Sequence, residues 1–186
     1  MIDWTSAASG RRLLGSIRTE FLRYKALAEG AIEQVRDQEL ALQGAGEPGS
    51  ITSIAWHVGG NLRSRFTDFL TSDGEKPWRN RESEFDDRTA SRAELLAQWQ
   101  VGWDALLNTL NELTDNQLDR DVVIRGQSLK VHEALHRSLA HTAYHVGQIV
   151  HIAKGLRGPE WKSLSIPRGQ SDAYNANPTR ERPNVH

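Results

Sequence analysis

None of the 186 residues is a cysteine. That absence excludes disulfides, thiolate metal ligands and a built-in thiol nucleophile together. A sulfur nucleophile, if the chemistry needs one, has to arrive on a bound small molecule. Charge of one sign is also missing, since 23 basic residues face 24 acidic ones for a formal net charge of −1. Such a balance gives no support to general nucleic-acid or anionic-membrane binding. No apolar run approaches the roughly 18 residues that a membrane span needs. The segment Met1-Ile2-Asp3-Trp4 lacks the charged-then-apolar pattern of a secretory signal. The expectation is a soluble cytoplasmic protein whose partner is a small molecule rather than nucleic acid or membrane.

What the chain does have is helical periodicity. Leu13, Leu14, Ile17, Phe21, Leu27, Ala28, Ala31, Ile32 and Val35 recur at three- and four-residue intervals, as one buried helix face requires. They predict a helix over 7–36, broken by Gln43-Gly44-Ala45-Gly46-Glu47-Pro48-Gly49. Ser50 is placed to cap a second helix over 51–71, which Asp73-Gly74-Glu75-Lys76-Pro77 ends. A long polar connection reaches about Arg88; loops of this length are often functional. Ser91 with Glu94 forms a capping-box pattern for a third helix over 90–112, with Leu95, Leu96, Trp99, Trp103, Leu106, Leu107 and Leu110 toward the core. After an irregular stretch with a short extended piece at Asp121–Arg125, Ser128 is read as the cap of a fourth helix over 129–154. No alternating strand series stands out. From Trp161 the chain reads as extended. The prediction is an all-α four-helix bundle in one domain over 1–175, with a mobile tail over 176–186.

The fourth helix carries His132, His136, His141, His145 and His151, so two HxxxH pairs compete for one ion. With His132 at zero and about 100° per residue, His136 falls near 40°, His141 near 180° and His145 near 220°. The two pairs sit at opposite borders of the apolar arc, which leaves both open. The second helix favours one of them. His57, the first histidine of the chain, heads a polar stripe of Asn61, Ser64 and Asp68 beside Ile54, Val58, Leu62, Phe66 and Phe69. The same one-sided arrangement surrounds His141 and His145, with Ser138 and Gln148 near. Three neutral imidazoles leave a coordination position free on zinc, and also suit nickel, iron and copper.

At these residues the sequence resembles the DinB-like superfamily of four-helix bundles. The resemblance is carried by Trp56-His57-Val58-Gly59-Gly60-Asn61 and by His141-Thr142-Ala143-Tyr144-His145-Val146-Gly147-Gln148-Ile149. Segments 67–78 and 161–167 add to it, so that it runs from about Leu13 to Asn175. It implies one metal-binding histidine from the second helix and an HxxxH pair from the fourth, matching His57, His141 and His145. It also implies zinc or nickel in the site, a homodimer, and chemistries that include transfer of low-molecular-weight thiols and hydrolysis.

The reading favoured on these grounds is a divalent-metal-binding protein acting as a thiol S-transferase or a hydrolase. A thiol would then be a cosubstrate, because the chain lacks its own. Asn61, Asp68 and Gln148 are candidates to orient ligands or substrate, and Arg65 to grip a substrate carboxylate through its fork. An ordinary solvated helix position is the plain alternative for each. At the level of function, the competing readings are a stress-response or binding module with a structural or sensory metal, and an interaction protein without metal.

Overall fold

The computed structural model describes residues 7–43, 49–86 and 88–179, with side chains from Leu13 onward. It is mostly helical. Helix α1 spans Ala7–Gln34, α2 Ile51–Phe66, α3 Arg92–Glu112 and α4 Val131–Arg157, and a short α5 covers Ser171–Ala176. Strands β1 (Asp121–Ile124) and β2 (Gln127–Lys130) form an antiparallel hairpin ahead of α4. Among the described residues, no helix is long and apolar enough to cross a membrane.

The four long helices share one core, and side-chain size sets their spacing. Helix α2 lies tight against α3 because Gly59 and Gly102 meet there. A Cβ on Gly59 would come within 2.9 Å of the Gln98 carbonyl, and one on Gly102 would run into the Gly59 backbone. Helix α1 packs on α4. Between α1 and α3 the spacing is wider, filled by two fully buried tryptophans. Trp103 meets Phe21 edge-on at 6.1 Å, and the indole N–H of Trp99 donates to Glu29 at 3.1 Å. Of the other tryptophans, Trp56 lies under the Arg88 guanidinium and Trp78 under that of Arg63, while Trp4 falls outside the described residues.

Both capping readings at the starts of α2 and α3 hold. Ser50 Oγ accepts from the Ser53 N–H at 3.2 Å. Ser91 and Glu94 exchange hydrogen bonds, the Glu94 N–H to Ser91 Oγ at 3.2 Å and the Ser91 N–H to the Glu94 carboxylate at 2.8 Å. Such a cap is worth about 1 kcal/mol.

Other boundaries need correction. Helix α2 stops at Phe66, not near 71, and Thr67 turns extended before Asp68 adopts a positive φ of 49°. The Phe66 carbonyl accepts from the Thr109 hydroxyl of α3 at 2.9 Å. A stop satisfied from another helix leaves no local mark in the sequence. Ser128 is not the cap of α4; it pairs with Val123 in the hairpin. The helix begins two residues later, where the Glu133 carboxylate accepts from the Lys130 N–H at 2.7 Å. The hairpin closes through Arg125 and Gly126, at φ 54° and 72°, the two-residue turn that matches strand twist. Only its first strand was foreseen. The tail is not wholly extended, since α5 interrupts it, and residues 180–186 of the predicted mobile end lie outside the described residues. Leu13, placed in the core by periodicity, is 38% exposed.

Candidate metal centre

His57 lies on the inner face of α2, between buried Ile54 and Val58, and is only 3% exposed. A buried imidazole needs partners for both nitrogens. Its Nδ1 lies 2.8 Å from Oε2 of Glu84, which comes from a short 3-10 turn at Glu82–Glu84 in the long connection. Glu84 is itself buried and held by Arg79, with Nε on Oε1 and Nη2 on Oε2, both at 2.8 Å. Burial pushes the Glu84 carboxyl up, but the Arg79 and His57 hydrogen bonds outweigh it and hold the group below its ordinary value. An ionised carboxylate accepts only, so Nδ1 of His57 carries a proton and donates it to Glu84, leaving Nε2 as the ring nitrogen that faces the other histidines. Gly60 makes the contact possible, since a Cβ there would overlap the Glu84 carboxylate. Phe85 covers the imidazole, with ring centroids 4.6 Å apart.

From α4, His141 and His145 reach the same point one helical turn apart. Their rings are 5.2 and 4.9 Å from that of His57, centroid to centroid, and 4.5 Å from each other. Nε2 of His57 and Nε2 of His141 stand 3.3 Å apart. His145 Nδ1 lies 2.8 Å from Oε1 of Gln148, whose amide oxygen fixes that proton and leaves Nε2 free. His141 Nδ1 is buried without a partner. Burial first, then neighbouring His145 and His57, push the His141 pKa down to about 3. Burial also lowers His145, against the opposing Gln148 hydrogen bond. Both imidazoles are therefore neutral at pH 7, as metal ligation requires.

One ligand atom from each of the three histidines lies within 4.8 Å of the others. Nitrogens held about 2.0–2.1 Å from a tetrahedral ion stand about 3.3 Å apart, which is the His57–His141 separation. The donor set fits a divalent metal ion. Among the described residues, His132 and His136 make no such group. Their rings are 6.5 Å apart, His136 is exposed, and His132 turns to the Leu118 carbonyl.

Residues 8–170 match the family described as protein of unknown function (DUF1572). The chain belongs to that family. No curated protein and no solved structure matches it.

Beside the histidines, the DUF1572 chain has a cavity of about 170 Å³ bordered by His57 and His141. Its apolar wall is Phe66, Phe69 and Ile124, and its polar wall includes Asn61 and Ser138. The hairpin closes one side, pinned where the Asp73 carboxylate accepts from the Arg125 and Gly126 N–H groups at 2.8 and 2.7 Å. Of the residues predicted from sequence, Asn61 lines the cavity and Gln148 braces His145. Arg65 also lines it, but its guanidinium is occupied by the Gly74 carbonyl and Glu75. Asp68 is exposed beyond the end of α2 and is not among the lining residues. Glu84, Arg79 and Phe85 escaped sequence reasoning because they sit in a connection crowded with similar charges. The one available signal was Gly59-Gly60 inside a helix, where each glycine costs about 1 kcal/mol relative to alanine and implies a close approach.

Proposed function

We propose that this DUF1572 chain is a divalent-metal enzyme of the thiol S-transferase or hydrolase type, built on a four-helix bundle of the DinB-like kind. The observation that carries the reading is the convergence of three imidazoles, one from α2 and two from α4, on the border of a cavity. The alternative, a structural or sensory metal, calls for a site closed by protein on all sides, and the adjoining cavity argues against it. Zinc and nickel both suit an all-imidazole set. A homodimer belongs to the same reading, and light scattering tests it.

When bound, such an ion lowers the pKa of a water or thiol beside it, giving a nucleophile near neutral pH. The chain supplies the rest. Glu84 holds the His57 tautomer with Nε2 directed inward, and Arg79 keeps that carboxylate ionised. Gln148 does the same for His145. Asn61 and Ser138 offer hydrogen bonds to a molecule in the cavity. Because there is no cysteine, the thiol of a transfer reaction is a cosubstrate.

The test is metal content by mass spectrometry on protein purified without an affinity tag. Turnover is then assayed with an electrophile plus a small thiol, and with ester and amide substrates. Near-stoichiometric zinc or nickel with turnover in one assay is the expected result. Folded protein that takes up neither metal on reconstitution sinks the reading.

A further inference from the structure

The cavity beside the histidines is more cationic than a chain of net charge −1 would suggest. Four guanidinium side chains line it, those of Arg65, Arg81, Arg125 and Arg137, and among the described residues no carboxylate does. Glu75 lies behind the wall and is shared, within 3.2 Å of Arg65 Nη2 and 2.7 Å of Arg125 Nε, so one carboxylate serves two cations. Arg81 pairs with Glu82, which is 87% exposed and open to solvent screening. Arg137 has no hydrogen-bond or ion-pair partner among the described residues. Positive charge is left uncompensated on the cavity wall, before any metal ion adds to it.

Two further features place this charge where a ligand would meet it. Ser138 is 8% exposed, and its buried hydroxyl has no partner although it lines the cavity. Unpaired buried hydroxyls are uncommon because each forfeits about 1–3 kcal/mol of hydration. Arg137 and His141 stand four residues apart on α4, hence on one helix face. Arg81 comes from the connection after α2, its guanidinium over the Phe85 ring that covers His57. The cationic wall and the imidazole cluster therefore belong to one compartment.

We propose that the cavity takes a small molecule bearing an oxyanion, a carboxylate or a phosphate. Arg137 and Arg81 hold the anionic group, and the Ser138 hydroxyl donates to it. The planar guanidinium fork fits either oxyanion through paired N–H donors. At about 170 Å³ the space is smaller than the several hundred Å³ typical for drug-sized ligands, which favours a compact acid. For the reacting end of the molecule this inference rests on the proposed metal enzyme. The anion-binding end stands on the arginines and Ser138, without the metal.

The experiment is calorimetric titration of succinate and of inorganic phosphate into untagged, metal-free protein. Wild type is compared with Arg137→Gln, Arg81→Gln and Ser138→Ala, and with Arg120→Gln as an exposed control outside the cavity. Saturable binding is expected in wild type and the control, weakened about tenfold in Arg137→Gln. Tighter succinate identifies a carboxylate ligand, and tighter phosphate a phosphate. If neither anion binds at concentrations on the order of 10 mM, the proposal fails. Binding that is unchanged in both folded Arg137→Gln and folded Arg81→Gln overturns it as well. Zinc uptake is measured on the same samples, so the two ideas can fail separately. Oxyanion binding without metal uptake removes only the metal reading, whereas metal uptake without oxyanion binding removes only this one.

Discussion

Helix α4 carries the same motif twice, and its surroundings treat the two copies differently. His132-x-x-x-His136 and His141-x-x-x-His145 have identical spacing on one helix. The first pair looks toward the hairpin junction and solvent, and His136 is exposed. The second pair looks toward α2, where His57 completes a set of three. Spacing makes two imidazoles available to one ion; a third donor and fixed tautomers make a site. The difference lies in what faces the helix. Opposite the second pair stands a braced histidine, whereas His132 meets the Leu118 carbonyl.

The largest expected effect breaks this comparison directly. His145→Ala should abolish near-stoichiometric metal uptake, because two imidazoles without the third hold a divalent ion far more weakly. His136→Ala should leave uptake unchanged. Mass spectrometry of both folded variants decides, and metal lost in His136→Ala alone would move the site to the other pair. Next in size is Glu84→Gln, which keeps the shape but removes the carboxylate charge that faces Arg79 and the His57 Nδ1–H. Loss of such an outer partner costs about 10–100-fold in metal affinity. Competition with a chromophoric chelator reads this out. An affinity equal to wild type would leave Glu84 with only a structural role.

The fold was largely legible because all four long helices announce themselves by periodic apolar residues, and two of them also by their caps. Of the site, the part written as spacing was legible. His141 and His145 are four apart, and His57 shares a stripe with Asn61. The resemblance then pointed to the same three residues. What remained hidden depends on contacts between distant segments. Glu84 reaches His57 across 27 residues, and nothing in Glu82, Glu84 and Asp86 marks which acid turns inward. The α2 stop depends on Thr109, and the hairpin is held by Asp73, both far along the chain. Local propensity does not carry that information.

A third effect sharpens the comparison through protons. His141 has an ordinary value of 6.5 and a folded value of about 3. As pH falls below about 6.5, the unfolded chain takes up this proton while the folded one resists. Stability of the metal-free protein is therefore lost on acidification, starting below the unfolded value and continuing toward the folded one. Thermal melts at pH 7 and pH 5 should show the loss, and His141→Gln should flatten it. An equal slope in wild type and His141→Gln would mean that His141 is not held neutral by its surroundings.

The smallest effect concerns the pair that no third histidine joins among the described residues. His132 is half-buried, and its Nδ1 lies 3.1 Å from the Leu118 carbonyl, joining the start of α4 to the segment before the hairpin. His132→Ala removes that hydrogen bond, and a typical one contributes about 0.5–1.5 kcal/mol net. His136→Ala removes an exposed ring, which should change stability by less than about 0.5 kcal/mol in either direction. Chemical denaturation of the metal-free proteins separates the two values. The backbone N–H groups of Val131 and His132 also donate, to the Arg120 and Leu118 carbonyls at 3.0 and 3.1 Å, so the junction keeps both of these bonds in the variant. Those remaining bonds are why the loss should stay near the low end of the range, and why His132→Ala should bind metal as wild type does. A larger loss would mean that the imidazole contributes by packing as well as by its hydrogen bond.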